Sequence, residues 1–186
     1  MNRMSLLLFI PILTITVVLS LSVSSVYALT TVKNATFSID IPDNWTYEEG
    51  VMNSSVTLTP KEFGVLLLNN TEPFNVTMKD GGAFSSFEQD RTFPIKNADF
   101  DLYVKYKINR QDGMKVTSEK NGTIDNETAI KINGDGVKSF GGIKIVEYMI
   151  WHDNKPYFIR YLANVKDFQK YLPQFEQILK TFKFVD

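Results

Sequence analysis

Asp167-Phe-Gln-Lys-Tyr-Leu-Pro-Gln-Phe-Glu-Gln-Ile-Leu-Lys-Thr-Phe-Lys-Phe184 is the stretch on which the reading of this chain turns. Phe168, Tyr171, Leu172, Phe175, Ile178, Leu179 and Phe182 recur at steps of three and four, the spacing of one helix face. Gln169, Lys170, Gln174, Glu176, Gln177 and Lys180 fill the other face. A helix this one-sided must lie on an apolar surface. Pro173 lacks the N–H that a helix interior needs, so the helix is either kinked there or starts anew near Leu172.

The surface for it is legible just upstream. Residues 143–151 and 157–163 are runs rich in β-branched and aromatic residues, joined by His152-Asp153-Asn154-Lys155. Ile145, Met149 and Trp151 fall on one side of the first run, and Val146, Tyr148 and Ile150 on the other. Strands apolar on both faces are central strands, covered on both sides. Further back, Phe37, Ile39 and Ile41 alternate with polar residues up to Pro42, and Trp45 follows as a large anchor. Val56 and Leu58 belong to a second strand stopped by Pro60, residues 63–68 read as a covered strand, and Pro73 and Gly81-Gly82 mark loops. Asn97 is the expected N-cap of a helix reaching about Gln111, with Asp99 and Asp101 in its first turn and Gly113 beyond its end. Phe100, Tyr103, Val104 and Ile108 form its buried stripe. Residues 116–118 start a strand, Asn121-Gly122 is a turn signal, and residues 129–132 form a strand closed by Gly134-Asp135-Gly136.

The chain has 186 residues, 44% hydrophobic and 13% aromatic, enough for one cored domain at 29–186. A formal charge of -1 without basic runs excludes nucleic acid as a partner on electrostatic grounds. Residues 1–28 read as a targeting segment: Arg3, an apolar stretch over 6–21, and the small-x-Ala site Val26-Tyr27-Ala28. Cleavage after Ala28 gives a secreted domain; an uncleaved leader leaves a single N-terminal membrane anchor. Either outcome puts the domain outside the cytoplasm. The absence of cysteine excludes disulfides, thiolate catalysis and Cys-ligated zinc. Seven Asn-x-Ser/Thr sequons lie at Asn34, Asn44, Asn53, Asn69, Asn75, Asn121 and Asn126. They are either an Asn/Thr-rich polar surface or the acceptors of an extracellular glycoprotein, and glycosylation without cysteine fits an archaeal surface. None lies beyond residue 129, which leaves the C-terminal third free of glycan.

Taken in order, these segments resemble the PsbP-like superfamily, named for an extrinsic subunit of the photosynthetic oxygen-evolving complex. Phe37-Ser-Ile-Asp-Ile-Pro-Asp-Asn-Trp45 is similar to the family's opening, and Ile124-Asp-Asn-Glu-Thr-Ala129 to its strand entry. Asn126 stands where the family has Gly, a replacement that a positive-φ turn tolerates. The hairpin into Tyr157–Ala163 and the Phe-x-x-Ile-Leu-x-Thr-Phe ending match as well, so the likeness spans about residues 35–184. The resemblance implies an α+β fold, a central antiparallel sheet flanked by helices in an α/β/α sandwich. It does not carry over the photosystem role. The photosynthetic members dock through an N-terminal arm, and about six residues separate Ala28 from the first expected strand.

No catalytic constellation is legible. His152, the sole histidine, sits beside Asp153 in the expected hairpin tip, without a nucleophile near it in sequence. His152 reads as a solvated turn residue, with His152 and Asp153 as candidate metal ligands; the Asp99/Asp101 pair favours the helix dipole over a metal. Asp40, Asp43, Glu48 and Glu49 cluster near Trp45, but an Asp-x-Asp-x-Asp-Gly loop is missing. The family resemblance makes calcium or manganese a candidate cofactor. Tyr103, Tyr106, Tyr148, Tyr157, Tyr161 and Trp151 either line a groove or, as their spacing favours, pack the core. The expected function is a non-enzymatic extracytoplasmic accessory module, bound to a protein partner at the outer membrane surface. The alternative is a carrier of a small ligand or a divalent metal.

Overall fold

The computed structural model describes residues 28–50, 55–61, 67–69, 75–77, 83–90, 93, 99–110, 114–136 and 142–185. Residues 1–27 of the targeting segment expected over 1–28, Asn53, residues 63–66, Pro73, Gly81-Gly82, Asn97 and Gly113 lie outside them. Among the described residues no helix is long and apolar enough to cross a membrane.

The central layer is a seven-stranded antiparallel sheet. It is built from β3 (Trp45–Glu49), β4 (Ser55–Pro60), β7 (Ala83–Gln89), β8 (Met114–Ile124), β9 (Glu127–Gly136), β10 (Ile143–His152) and β11 (Lys155–Asn164). The order is β3-β4-β7-β11-β10-β9-β8, with β11 and β10 interior. A second sheet of three strands, β1 (Leu29–Lys33), β2 (Phe37–Pro42) and β12 (Lys183–Phe184), has β2 in the middle; β5 (Leu67–Asn69) and β6 (Asn75–Thr77) form a separate hairpin. The helices α1 (Phe100–Arg110) and α2 (Val165–Thr181) cover opposite faces of the large sheet, the expected α+β sandwich.

The apolar stripe of α2 decides this arrangement. Phe168, Tyr171, Phe175, Ile178 and Leu179 are buried against Phe87, Val146, Ile150, Ile159 and Tyr161 of the sheet, and Leu172 is half-buried. Burial of a side chain of this size contributes roughly 1.5–3 kcal/mol. The helix runs unbroken through Pro173, which lies on its exposed side with Gln169, so the carbonyl deprived of its partner sits at the wet face. Its far end is tied to β2 through Thr181, whose Oγ1 accepts from the Asp40 N–H at 2.8 Å and donates to the Ile178 carbonyl at 2.8 Å. Trp45 is the anchor expected of it: 2% exposed, it donates from Nε1 to Gln174 Oε1 at 2.6 Å and meets Tyr171 edge-on.

Four details differ from the sequence expectations. The first strand is β1, starting at Leu29, so no spacer separates Ala28 from the folded sheet; the Asp43 N–H donates to the Ala28 carbonyl at 3.0 Å. Ala83–Gln89, just past the loop marked by Gly81-Gly82 and not expected as a strand, is an inner strand. β8 runs straight through Asn121-Gly122, and the chain reverses at Asp125–Asn126, both with positive φ (50° and 67°). Gly134-Asp135-Gly136 does not close β9 but lies within it. A Cβ on Gly134 would sit 2.2 Å from Met114 Cγ, so the glycine makes room for the neighbouring strand's side chain. For α1, Asp99 supplies the cap: its Oδ1 accepts from the Leu102 N–H at 2.8 Å.

Candidate functional site

On the α1 face five ionisable side chains meet: Glu88 of β7, Asp90 just past its end, Glu147 of β10, Arg160 of β11 and Lys107 of the helix itself. Glu147 and Arg160 are directly opposed on neighbouring strands, and Arg160 contacts the Glu147 carboxylate through both Nε and Nη2. Lys107 of α1 joins the two ends of the cluster, with Nζ 3.5 Å from Glu147 Oε1 and 3.4 Å from Asp90 Oδ2. The four side chains are between 1% and 9% exposed. Tyr103 Oη stands 3.3 Å from Asp90 Oδ2 and 3.4 Å from the Tyr157 carbonyl. The Phe158 ring packs under both cations, 4.4 Å from Lys107 Nζ and 5.1 Å from Arg160 Cζ.

The fifth member is Glu88, on the same face of β7. Burial raises its carboxyl above the usual range; Arg160 and Lys107 pull the other way, and Asp90 and Glu147 reinforce the rise. Burial, then Asp90, likewise pushes the Tyr103 hydroxyl well up, so it stays a neutral donor. Among the described residues three carboxylates share this site with two cations, and Glu88 is the one whose hold on a proton burial strengthens. Because its folded-state affinity for protons exceeds the unfolded one, ionising Glu88 opposes folding. The cost is absent below the ordinary carboxylate range and grows as pH rises through the raised one. Glu88→Gln is therefore expected to raise the urea midpoint at pH 7, with the gain vanishing toward pH 4. An equal gain at both pH values would show that Glu88 does not carry this charge.

None of these five residues stands out from sequence motifs. The strands described as apolar on both faces carry Glu147 and Arg160 in their interiors. The available signal was two opposite charges at facing positions of one hairpin.

The residues singled out by sequence lie elsewhere. His152 is not a solvated tip residue but the last residue of β10, its side chain 13% exposed. Its ring stacks on Phe184 (3.8 Å between centroids, 7° between planes), and Nδ1 is 2.9 Å from Glu127 Oε1. Asp153 Oδ2 is 3.9 Å from Nε2, on a side chain 74% exposed. The hairpin turn proper is Asp153–Asn154, both with positive φ. Among the described residues no three His, Asp or Glu side chains converge as a metal site would require. Asp125, in the adjacent turn, clamps β12: its carboxylate accepts from Lys183 Nζ and from the Phe184 N–H, each at 2.8 Å. Burial raises its pKa, but those two donors outweigh burial and hold it below the usual range. The Asp40–Glu49 carboxylates do not form a loop; Asp40 accepts from Thr31 Oγ1 at 2.7 Å across the β1–β2 pair. Of the aromatics, Tyr103, Tyr157 and Tyr161 are buried in the two cores, and burial raises the Tyr161 hydroxyl, which donates to the Phe168 carbonyl.

An open groove on the α2 side holds about 340 Å³. Tyr148, Leu179 and Phe182 form its floor, and Asp125, Glu176, Lys180 and Lys183 its rim. Lys131 reaches Glu176 at 3.7 Å over the edge of Tyr148. A shallower depression of about 290 Å³ beside Trp45 carries the exposed Tyr47. The sequons divide by surroundings. Asn121 and Asn126 are exposed, Asn34 is folded into a turn, and Asn44 Nδ2 reaches Gln174 Oε1 at 3.4 Å, against the polar side of α2. Asn69 and Asn75 are backbone register partners in the β5–β6 hairpin.

No family model matches the chain, and no curated protein matches it. Solved structures do. The chain is similar to LpqN of Mycobacterium tuberculosis, described as involved in cell envelope biogenesis, at 9% identity over 86% of this chain and 91% of that one, with a TM-score of 0.51. It is equally similar to the cyanobacterial PsbP (CyanoP) of Synechocystis sp. PCC 6803, at 8% identity over 89% and 98% of the two chains, with a TM-score of 0.51. The fold of the chain is thus PsbP-like, an antiparallel sheet between helices shared with proteins of almost unrelated sequence.

Proposed function

We propose that this chain is a non-catalytic extracytoplasmic module that binds a protein partner at the outer face of the membrane. The observation that carries the reading is the groove between α2 and the β8–β9 turn: an apolar floor inside a rim bearing both charge signs. An apolar centre with a polar rim suits a polypeptide side chain flanked by mixed charges. Among the described residues, the buried ionisable cluster supports the non-catalytic part, because Asp90, Lys107, Glu147 and Arg160 are engaged with one another beneath α1. The leader read over residues 1–28 and the envelope role stated for LpqN support the location.

The test is site-specific photo-crosslinking in intact cells. A photoreactive residue at Lys180, on the groove rim, is expected to capture one membrane-associated protein. The same residue at Lys105, exposed on α1 across the sheet, is expected to capture none. Equal capture from both positions, or none from either, would overturn the reading.

A further inference from the structure

We propose that Asn121 and Asn126 are acceptors of N-linked oligosaccharide, and that this sugar guards the open edge of β8, whereas Asn34 accepts none. The inference rests on the extracytoplasmic location argued above; Thr123 of the first sequon also lines the groove, so these sugars border the proposed partner surface. The starting point is the sheet order, which among the described residues leaves the 11-residue β8 as an edge with no strand on its outer side. Such an edge is a template for pairing with another chain unless charge, a bulge or a cover blunts it. The first half of β8 is blunted: Lys115 and Lys120 are exposed on it, and the register shifts between Val116 and Ser118. From Asn121 to Ile124 the ladder is regular, and the segment carries no charge. A Cβ on Gly122 would meet nothing within 4 Å, so the space beside this half is open.

That unguarded half is where a sequon lies. Asn121 and Thr123 are both exposed and, two residues apart on a strand, point to the same face, which sets the acceptor amide beside the hydroxyl of its sequon. Asn126 follows in the turn that ends the strand, exposed, with φ 67°; its Thr128 is the register partner of Thr123. Asn34 is built oppositely. Its Oδ1 accepts from the Thr36 and Phe37 N–H groups at 2.8 and 2.9 Å, and its Nδ2 is buried without a partner, leaving no room for a sugar on that nitrogen. In the transfer, Nδ2 forms a bond to the anomeric carbon of a lipid-linked oligosaccharide. The bond from that carbon to a phosphate oxygen breaks, the lipid phosphate leaves with the electron pair, and one amide proton passes to a base of the transferase.

Glycopeptide mass spectrometry of the chain purified from its native membranes is expected to find sugar at Asn121 and Asn126 and none at Asn34. Bare Asn121 and Asn126, or an occupied Asn34, would overturn the proposal. Thr123→Ala/Thr128→Ala removes both acceptors while keeping the asparagines, and should convert a monomer into dimers and larger species in sedimentation velocity. Thr123→Lys/Thr128→Ala loses the same sugars but places a lysine on the edge, and should remain monomeric. An alanine variant that stays monomeric at the same concentrations would remove the guarding role. External protease on intact cells separates the two readings. Digestion of a chain with bare acceptors sinks the glycan alone, while a chain that protease cannot reach sinks the location with it.

Discussion

Arg160→Leu is expected to cost about 3–5 kcal/mol, the loss that follows when one partner of a buried ion pair is removed and the other is left behind. Glu147 is 1% exposed and loses both of its guanidinium contacts, keeping only Lys107 at 3.5 Å. Among the described residues the cluster beneath α1 then holds three carboxylates, Glu88, Asp90 and Glu147, against the single cation Lys107. A domain stability of roughly 5–15 kcal/mol makes this a third or more of the total. The check is a urea midpoint at pH 7, with Glu147→Leu/Arg160→Leu beside it. The double variant should recover most of the loss, because two facing apolar side chains replace the pair and no ion is stranded. Lys144→Ala serves as the surface comparison: its partner Asp135 is 2.9 Å away, but both side chains are at least 43% exposed, and the expected change is below about 1 kcal/mol. An Arg160→Leu variant within about 1 kcal/mol of the parent would mean that the cluster is hydrated in solution.

The same hairpin shows how far sequence reading reaches. Glu147 lies six residues before Asp153 and Arg160 six after Asn154, so a two-residue turn there makes them register partners by counting alone. That pairing was readable once the turn was placed; Lys107, one helical turn after Tyr103, was readable as a third member only with α1 laid on the same face. The apolar stripe of α2 and the two long central strands were legible because burial on one or both faces writes a period into the residues. β7 was not. Its residues Ser85, Ser86 and Glu88 interrupt any alternation, and two of them are polar for reasons of tertiary placement: Ser86 and Glu88 face the ion cluster from an inner strand. Asn121-Gly122 misled for the complementary reason. The dipeptide favours a turn locally, but ten residues of ladder with β9 outweigh it, and the Asp125–Asn126 pair supplies the positive φ values instead. Glycines 134 and 136 signalled a loop end, yet a strand keeps glycine where a neighbour's side chain needs the space, as Met114 does at Gly134. The His152–Glu127 and Asp125–Lys183 contacts join residues from three segments, which no local pattern could bring together.

Phe175→Ala carries the other large expected effect, again about 3–5 kcal/mol, and by a different mechanism. Phe175 is fully buried at the centre of the α2 stripe, stacked on Tyr161 at 4.9 Å and flanked by Phe87 and Tyr148 at 6.5 Å each. Truncation opens a cavity lined by three rings, each held by its own strand, so the walls cannot close on it; the lost transfer energy adds to the cost of the void. Phe175→Leu keeps most of the volume and loses the ring contacts, so its cost should be clearly smaller. Leu172→Ala, at a half-buried edge of the same stripe, should cost less than Phe175→Ala as well. The measurement is a denaturant midpoint for each variant, with intrinsic fluorescence reporting on Trp45, which reaches α2 through Gln174 and Tyr171. A Phe175→Ala loss below about 1.5 kcal/mol, or one no greater than that of Leu172→Ala, would show that the centre of the stripe is not where α2 is held. Because Leu179 and Phe182 of the groove floor belong to the same helix end, loosening α2 at Phe175 should also weaken crosslinking from Lys180. The fold and the proposed partner surface thus depend on one docking, the laying of this helix across β7, β11 and β10.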